Sequence, residues 1–181
     1  GARFSVWSAI GLPLMLAVGH ENFLQFLAGE HAMDQHFFEA PVTGNLPALM
    51  ALLGIWNIDF LGAETLAVLP YSQLLEYLPS YLQQLDMESN GKQLTREGQP
   101  VACATAPVLW GEAGTNGQHA FFQLIHQGGR LIPCDFIAFR ETDYDLPGRQ
   151  AAVLANCLAQ SEAMMLGKTL EEARREMQAA G

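Results

Sequence analysis

The chain has 181 residues, half of them hydrophobic and only 15% charged, with a formal net charge of −10. That is the composition of one folded domain with a core, and it excludes a disordered or low-complexity chain. So acidic a chain repels phosphate backbones and anionic lipid, which sets nucleic acid and membrane surfaces aside as partners; an anionic small molecule would need local grip from an arginine, backbone N–H groups or a helix N-terminus.

In chain order, the first element is the apolar stretch Val6 to Val18 behind Arg3. It has no A-x-A cleavage site, Pro13 interrupts it, and it is too short to cross a bilayer, so a buried helix is predicted. A second apolar helix runs from Phe23 to Phe38, and a third from Leu46 to Trp56 with Pro47 in its first turn. Helices apolar on so many sides predict burial on more than one face.

The period then changes. Thr65 to Leu69, closed by Pro70, reads as a buried parallel strand. Leu74, Leu75, Leu78, Tyr81, Leu82 and Leu85 restore helical spacing, with Gly91 at the C′ position. Gln93 to Pro100 is a loop or irregular edge. Val108 to Trp110 is a short strand, followed by a glycine-rich turn and a helix over Gln118 to Gln127. Leu131 to Phe139 is a third strand, Glu141 to Gly148 an acidic turn, and Gln150 to Leu166 a helix. Thr169 and Glu172 form a capping box that opens a charged terminal helix. Residues of about 1–60 therefore form a helical lead-in, about 61–166 an α/β domain, and 167–181 a surface helix. Strands alternating with helices predict an α/β fold with a mainly parallel sheet, whose ligands bind beyond the carboxyl ends of the strands. The turn from Gly111 to Gly117 is predicted to stand there.

Three cysteines, Cys103, Cys134 and Cys157, are odd in number and contain no CxxC pair. They fit a reducing, cytosolic compartment better than a disulfide framework and offer no zinc spacing.

Two segments carry candidate chemistry. In Gln83 to Lys92, Gln84 and Glu88 are four apart on a predicted helix and share a face. A carboxylate in the last turn meets the negative end of the macrodipole, which favours its protonated form and suits a general base near neutral pH. The plainer reading is a solvated helix end. In Trp110 to Phe121, glycines admit a close backbone approach, and His119 falls in the first turn of the next helix, where a neutral ring is favoured. The plainer reading is a structural histidine beside His126. Arg3 is either a surface residue or a cation for a developing oxyanion. Glu30, His31 and Asp34 read as a polar helix face and the seven methionines as core filler.

Together the strings Arg3 to Gly11, Gln83 to Lys92, Trp110 to Phe121, and Gln123 to Gly128 with Leu131 to Ile137 resemble the glucose-6-phosphate isomerase family, in the family's order and over nearly the whole chain. Ala2 stands where that family usually has glycine. The resemblance implies a sugar isomerase (SIS) domain, a three-layer α/β/α sandwich around a parallel sheet. It implies interconversion of glucose 6-phosphate and fructose 6-phosphate through a cis-enediol, without metal or organic cofactor. Glu88 matches the base, Gln84 a substrate-binding glutamine, His119 the ring-opening histidine that reaches the partner's site in a homodimer, and Arg3 the arginine that steadies the enediolate. It further implies that the family's phosphate-binding Ser/Thr loops precede Arg3 and that a second ring-opening residue, a lysine, lies beyond Gly181, so that the 181 residues alone are expected to be inactive. The alternative is a non-catalytic sugar-phosphate binding or interaction module on the same fold.

Overall fold

The computed structural model describes residues 5–142 and 147–179. Arg3 and part of the acidic turn before Gly148 lie outside the described residues. The chain divides into two compact units: the chain up to Thr65 with Ser80–Val108, and Leu66–Pro79 with the chain from Leu109 onward.

The first unit is helical. Helix α1 is Leu12–Val18, α2 is His20–Glu39 and α3 is Leu46–Ile55; α1 packs on α2, and α2 on α3. Pro13 and Pro47 both sit in the first turn of their helices, where a missing N–H costs nothing. Asn45 fixes the α2–α3 corner. Its Oδ1 accepts the Ala48 N–H at 3.1 Å and its Nδ2 donates to the Phe37 carbonyl at 2.7 Å, so this buried amide spends both ends. His36 Nε2 accepts the Leu46 N–H at 3.0 Å beside it.

The predicted burial of these helices is not observed. Phe23 is buried, but α1 and α3 contain no buried residue, and Leu16, Leu53 and Trp56 stand exposed. Apolar composition reports that a helix face needs cover; among the described residues part of it comes where these helices meet each other and where Trp7 stacks on Phe26. After α3 the chain widens into a π-helical segment, Trp56–Phe60. That segment and α3 line an open apolar cleft of about 360 Å³ formed by Leu49, Leu52, Leu53, Ile55, Trp56 and Phe60.

The second unit holds the sheet. Strands β1 (Thr65–Pro70), β2 (Val108–Trp110) and β3 (Cys134–Ile137) lie in the order β2-β1-β3. β1 and β3 are parallel, with Ala67 opposite Cys134 and Pro70 opposite Ile137. Ala67, Val68, Leu69 and Pro70 are all buried, the signature of a central strand covered on both faces. Ala67, Leu69 and Tyr71 alternate onto one face and meet Phe122 and Cys157 in the core, ringed by Trp110, Phe121, Phe136 and Val153. Each large side chain so buried contributes about 1.5–3 kcal/mol of transfer free energy. Helices α5 (Asn116–Ala120), α6 (Phe122–Gln127) and α7 (Arg149–Leu166) complete the mixed α/β unit, followed by α8 (Leu170–Ala179). Among the described residues, no helix is long and apolar enough to cross a membrane.

Candidate active site

Leu78–Leu82, here α4, does not continue as a plain α-helix. It opens into a second π-helical segment, Gln83–Glu88, before Ser89 and Asn90 close the element. A π turn inserts slack into the backbone, a device common at functional sites. Because the wider turn holds more than four residues, Gln84 and Glu88 stay on one side, and both side chains are exposed.

The end of this segment is built with care. Gly91 does not adopt the left-handed C′ conformation expected of it; a Cβ there would sit 2.3 Å from the Met87 carbonyl oxygen, to which the Gly91 N–H donates at 3.0 Å. Asn90 Nδ2 donates to Asp86 Oδ1 at 2.7 Å. Lys92 Nζ donates to the carbonyls of Glu88 at 2.7 Å and Ser89 at 2.6 Å. The negative end of the segment is thus met by a cation, an electrostatic partner that helical spacing alone did not supply.

The Gly111–Gly117 turn stands where the sequence places it within the second unit. The Gly114 N–H donates to the Pro70 carbonyl at 2.9 Å, and the Tyr71 N–H to the Ile137 carbonyl at 2.7 Å, so the turn lies at the carboxyl ends of the strands. Two glycines are required here. Gly111 has φ 152° and a Cβ on it would lie 1.9 Å from the Val68 carbonyl oxygen; one on Gly114 would lie 2.7 Å from the Tyr71 ring.

The predicted helix over Gln118 to Gln127 starts earlier, at Asn116, and breaks at Phe121, whose φ is −141°. His119 is therefore the fourth residue of a five-residue helix. First and last turns coincide in so short an element, so the argument from a positive helix end does not apply to it. His119 is exposed, while its neighbour Gln118 turns inward and donates Nε2 to Tyr71 Oη at 2.7 Å. Burial pushes the Tyr71 phenol up, against the lowering effect of the Gln118 bond. His126 is the structural histidine of the pair, with Nε2 2.8 Å from Gln160 Oε1 and its ring beside Phe122.

Glu88 and Gln84 thus share one segment of the first unit, and His119 belongs to the second. Sequence reasoning missed Lys92, Tyr71 and Gln118 as supports. Only Gln118 carried a signal, as the polar residue next to the candidate histidine inside an apolar helix.

A sequence model of the phosphoglucose isomerase family matches residues 1–181. A glucose-6-phosphate isomerase of Dechloromonas aromatica is 62% identical over 174 residues, covering 96% of this chain and 33% of that protein. One from Deinococcus radiodurans is 61% identical over 172 residues, covering 95% of this chain and 32% of that protein. The crystal structure of a glucose-6-phosphate isomerase from Chlamydia trachomatis superposes with a TM-score of 0.81 at 45% identity, over 89% of this chain and 32% of that one. A hypothetical protein from Thermus thermophilus does so at 0.65 and 27% identity, over 90% and 40%. The chain spans about a third of the length of the curated relatives it matches.

Proposed function

The chain belongs to the phosphoglucose isomerase family, and from that premise we propose that it supplies the proton-transfer part of an aldose–ketose isomerase acting on glucose 6-phosphate and fructose 6-phosphate. In this reading Glu88 takes the C2 proton of the open-chain aldose and returns it to C1, while a hydroxyl proton passes from O2 to O1 through the cis-enediol. Gln84, on the same side of the π-helical segment, holds the sugar. His119 opens the ring, and Arg3 steadies the enediolate charge. The SIS-type domain, a cytosolic setting and a homodimer in which His119 serves the partner's site belong to the same proposal. The phosphate is gripped by residues other than those assigned here.

The observation that carries the reading is the pairing of Gln84 and Glu88, exposed together on a π-helical segment whose end is closed by its own hydrogen bonds. A binding module has no use for a base held in this way. Glu88→Gln, made in the full-length protein carrying this sequence, tests it. Turnover should fall about 10²–10⁴-fold, the range of general-base contributions, while a substrate analogue still binds. Undiminished turnover would remove Glu88 from the base role, whereas absence of turnover in the unsubstituted full-length protein would leave the non-catalytic module as the better reading.

A further inference from the structure

We propose that Lys92 is a positioning residue for the proton-transfer step, a role that rests on the assignment of Glu88 as base. A π-helical turn gains its functional geometry at the cost of backbone slack, and slack is what a base cannot have: a misplacement of about 1 Å can cost about 10²-fold in rate. Two features remove it. The Lys92 ammonium bridges two successive carbonyls, those of Glu88 at 2.7 Å and Ser89 at 2.6 Å. These are the groups a helix end leaves without an intrahelical donor. The lysine is itself anchored through its backbone: its N–H donates to Thr105 Oγ1 at 3.2 Å, and Thr105 Oγ1 donates back to the Lys92 carbonyl at 3.1 Å. One threonine from 13 residues downstream therefore grips both sides of Lys92. Lys92 grips in turn the peptide unit that bears Glu88. The bridge runs Thr105, Lys92, Glu88 within the first unit, and every link is a hydrogen bond of ordinary length.

The ammonium also places positive charge where the segment's carbonyls converge, opposing the field that would otherwise push against a carboxylate there. Lys92 holds the backbone that bears Glu88, so it should affect how well the proton is transferred and not how tightly the sugar is held.

The test uses the full-length protein with Lys92→Met, which keeps the aliphatic stem and removes every donor, and Lys92→Arg, which restores donors and charge. For Lys92→Met, kcat for fructose 6-phosphate should fall about tenfold with KM within about twofold, and the primary isotope effect from a C2-deuterated aldose should rise as C–H cleavage becomes more rate-limiting. Lys92→Arg should recover most of the loss. A merely structural lysine would lower the thermal midpoint without moving the isotope effect. Should Lys92→Met not fold, Thr105→Val removes both Thr105 bonds to the Lys92 backbone, leaving the Lys92 N–H its bond to the Asn90 carbonyl at 2.6 Å, and should lower kcat about two- to threefold with the same isotope signature. Glu88→Gln is measured in parallel. If it keeps its turnover, the base assignment falls and the Lys92 role falls with it. If it collapses while Lys92→Met retains native kcat and isotope effect, the Lys92 role alone is overturned.

Discussion

Gln118 Nε2 donates to Tyr71 Oη at 2.7 Å and ties the short helix that carries His119 to the residue that follows the central strand. Tyr71 is 1% exposed, among the most buried large side chains described, so its hydroxyl has no water to fall back on.

Tyr71→Phe should therefore destabilise the protein by about 1 kcal/mol, the net worth of one hydrogen bond, read as a lower urea midpoint at unchanged slope. The pH dependence follows from the raised phenol. A group whose folded value lies above its unfolded value of 10.0 contributes fully below that value and loses the contribution as pH rises through the folded one. The difference between native protein and Tyr71→Phe should shrink above about pH 10. A gap that stays constant to higher pH would mean that the phenol is not the titrating group.

At Gly111 conformation and space coincide. Its φ of 152° is closed to ordinary L-residues, and a Cβ would lie 1.9 Å from the backbone oxygen of Val68, which β1 cannot move. Gly111→Ala should cost about 3 kcal/mol or more. Gly98→Ala is the control: its φ of 75° is also left-handed, but nothing lies within 4 Å, so about 1 kcal/mol is expected. Equal costs in denaturant titrations would show that the Val68 approach is looser than described.

The sheet was legible because its signals are local. Thr65 to Leu69 is apolar without alternation, as a strand buried on both faces must be, and Pro70 marks its end. The same holds for α2 and for the capping box at Thr169. The break at Phe121 was not legible, since Phe121, Phe122, Leu124 and Ile125 read as one apolar helix. It depends instead on where the Phe121 ring rests, 2.9 Å from the place a Cβ on Gly117 would take. Nor was the π-helical segment, because a backbone hydrogen bond shifted by one residue leaves no mark in side-chain period. Spacing put Gln84 and Glu88 on one face; the family motifs, not spacing, gave them roles. Lys92 was not legible as a support, because a lysine's partners at a helix end are carbonyls, which every sequence has.

The three thiols should separate cleanly by reactivity. Cys103 is exposed. Burial, with the Asp135 charge beside it, pushes the Cys134 thiol up to about 11, and burial alone pushes up Cys157. Only the thiolate attacks an alkylating agent. Iodoacetamide near neutral pH should label Cys103 in the native protein and spare the other two until denaturant is added, read by peptide mass spectrometry. Labelling of Cys134 at the rate of Cys103 in folded protein would contradict the half-buried, protonated thiol.

The capping box at α8 gives an acid-side prediction. The Thr169 N–H and hydroxyl each donate to Glu172 Oε2 at 2.8 Å, and the Glu172 N–H donates to Thr169 Oγ1 at 3.2 Å. The backbone bond from Thr169, then its hydroxyl, and to a smaller extent the Lys168 charge hold the Glu172 carboxyl below its ordinary value. A carboxyl depressed in the folded state contributes above its unfolded value and ceases to do so as pH falls through the folded one. Acidification should thus fray the first turn of α8 at a lower pH than an ordinary glutamate would set. Thr169→Ala removes one donor outright and the reciprocal cap with it, so the Glu172 carboxyl resonance should titrate at higher pH in that variant and the fraying should begin earlier. The group is fully solvent-facing, so the readout is the NMR titration of that carboxyl and not global stability. Identical titration curves for the two proteins would show that the capping box does not persist in solution.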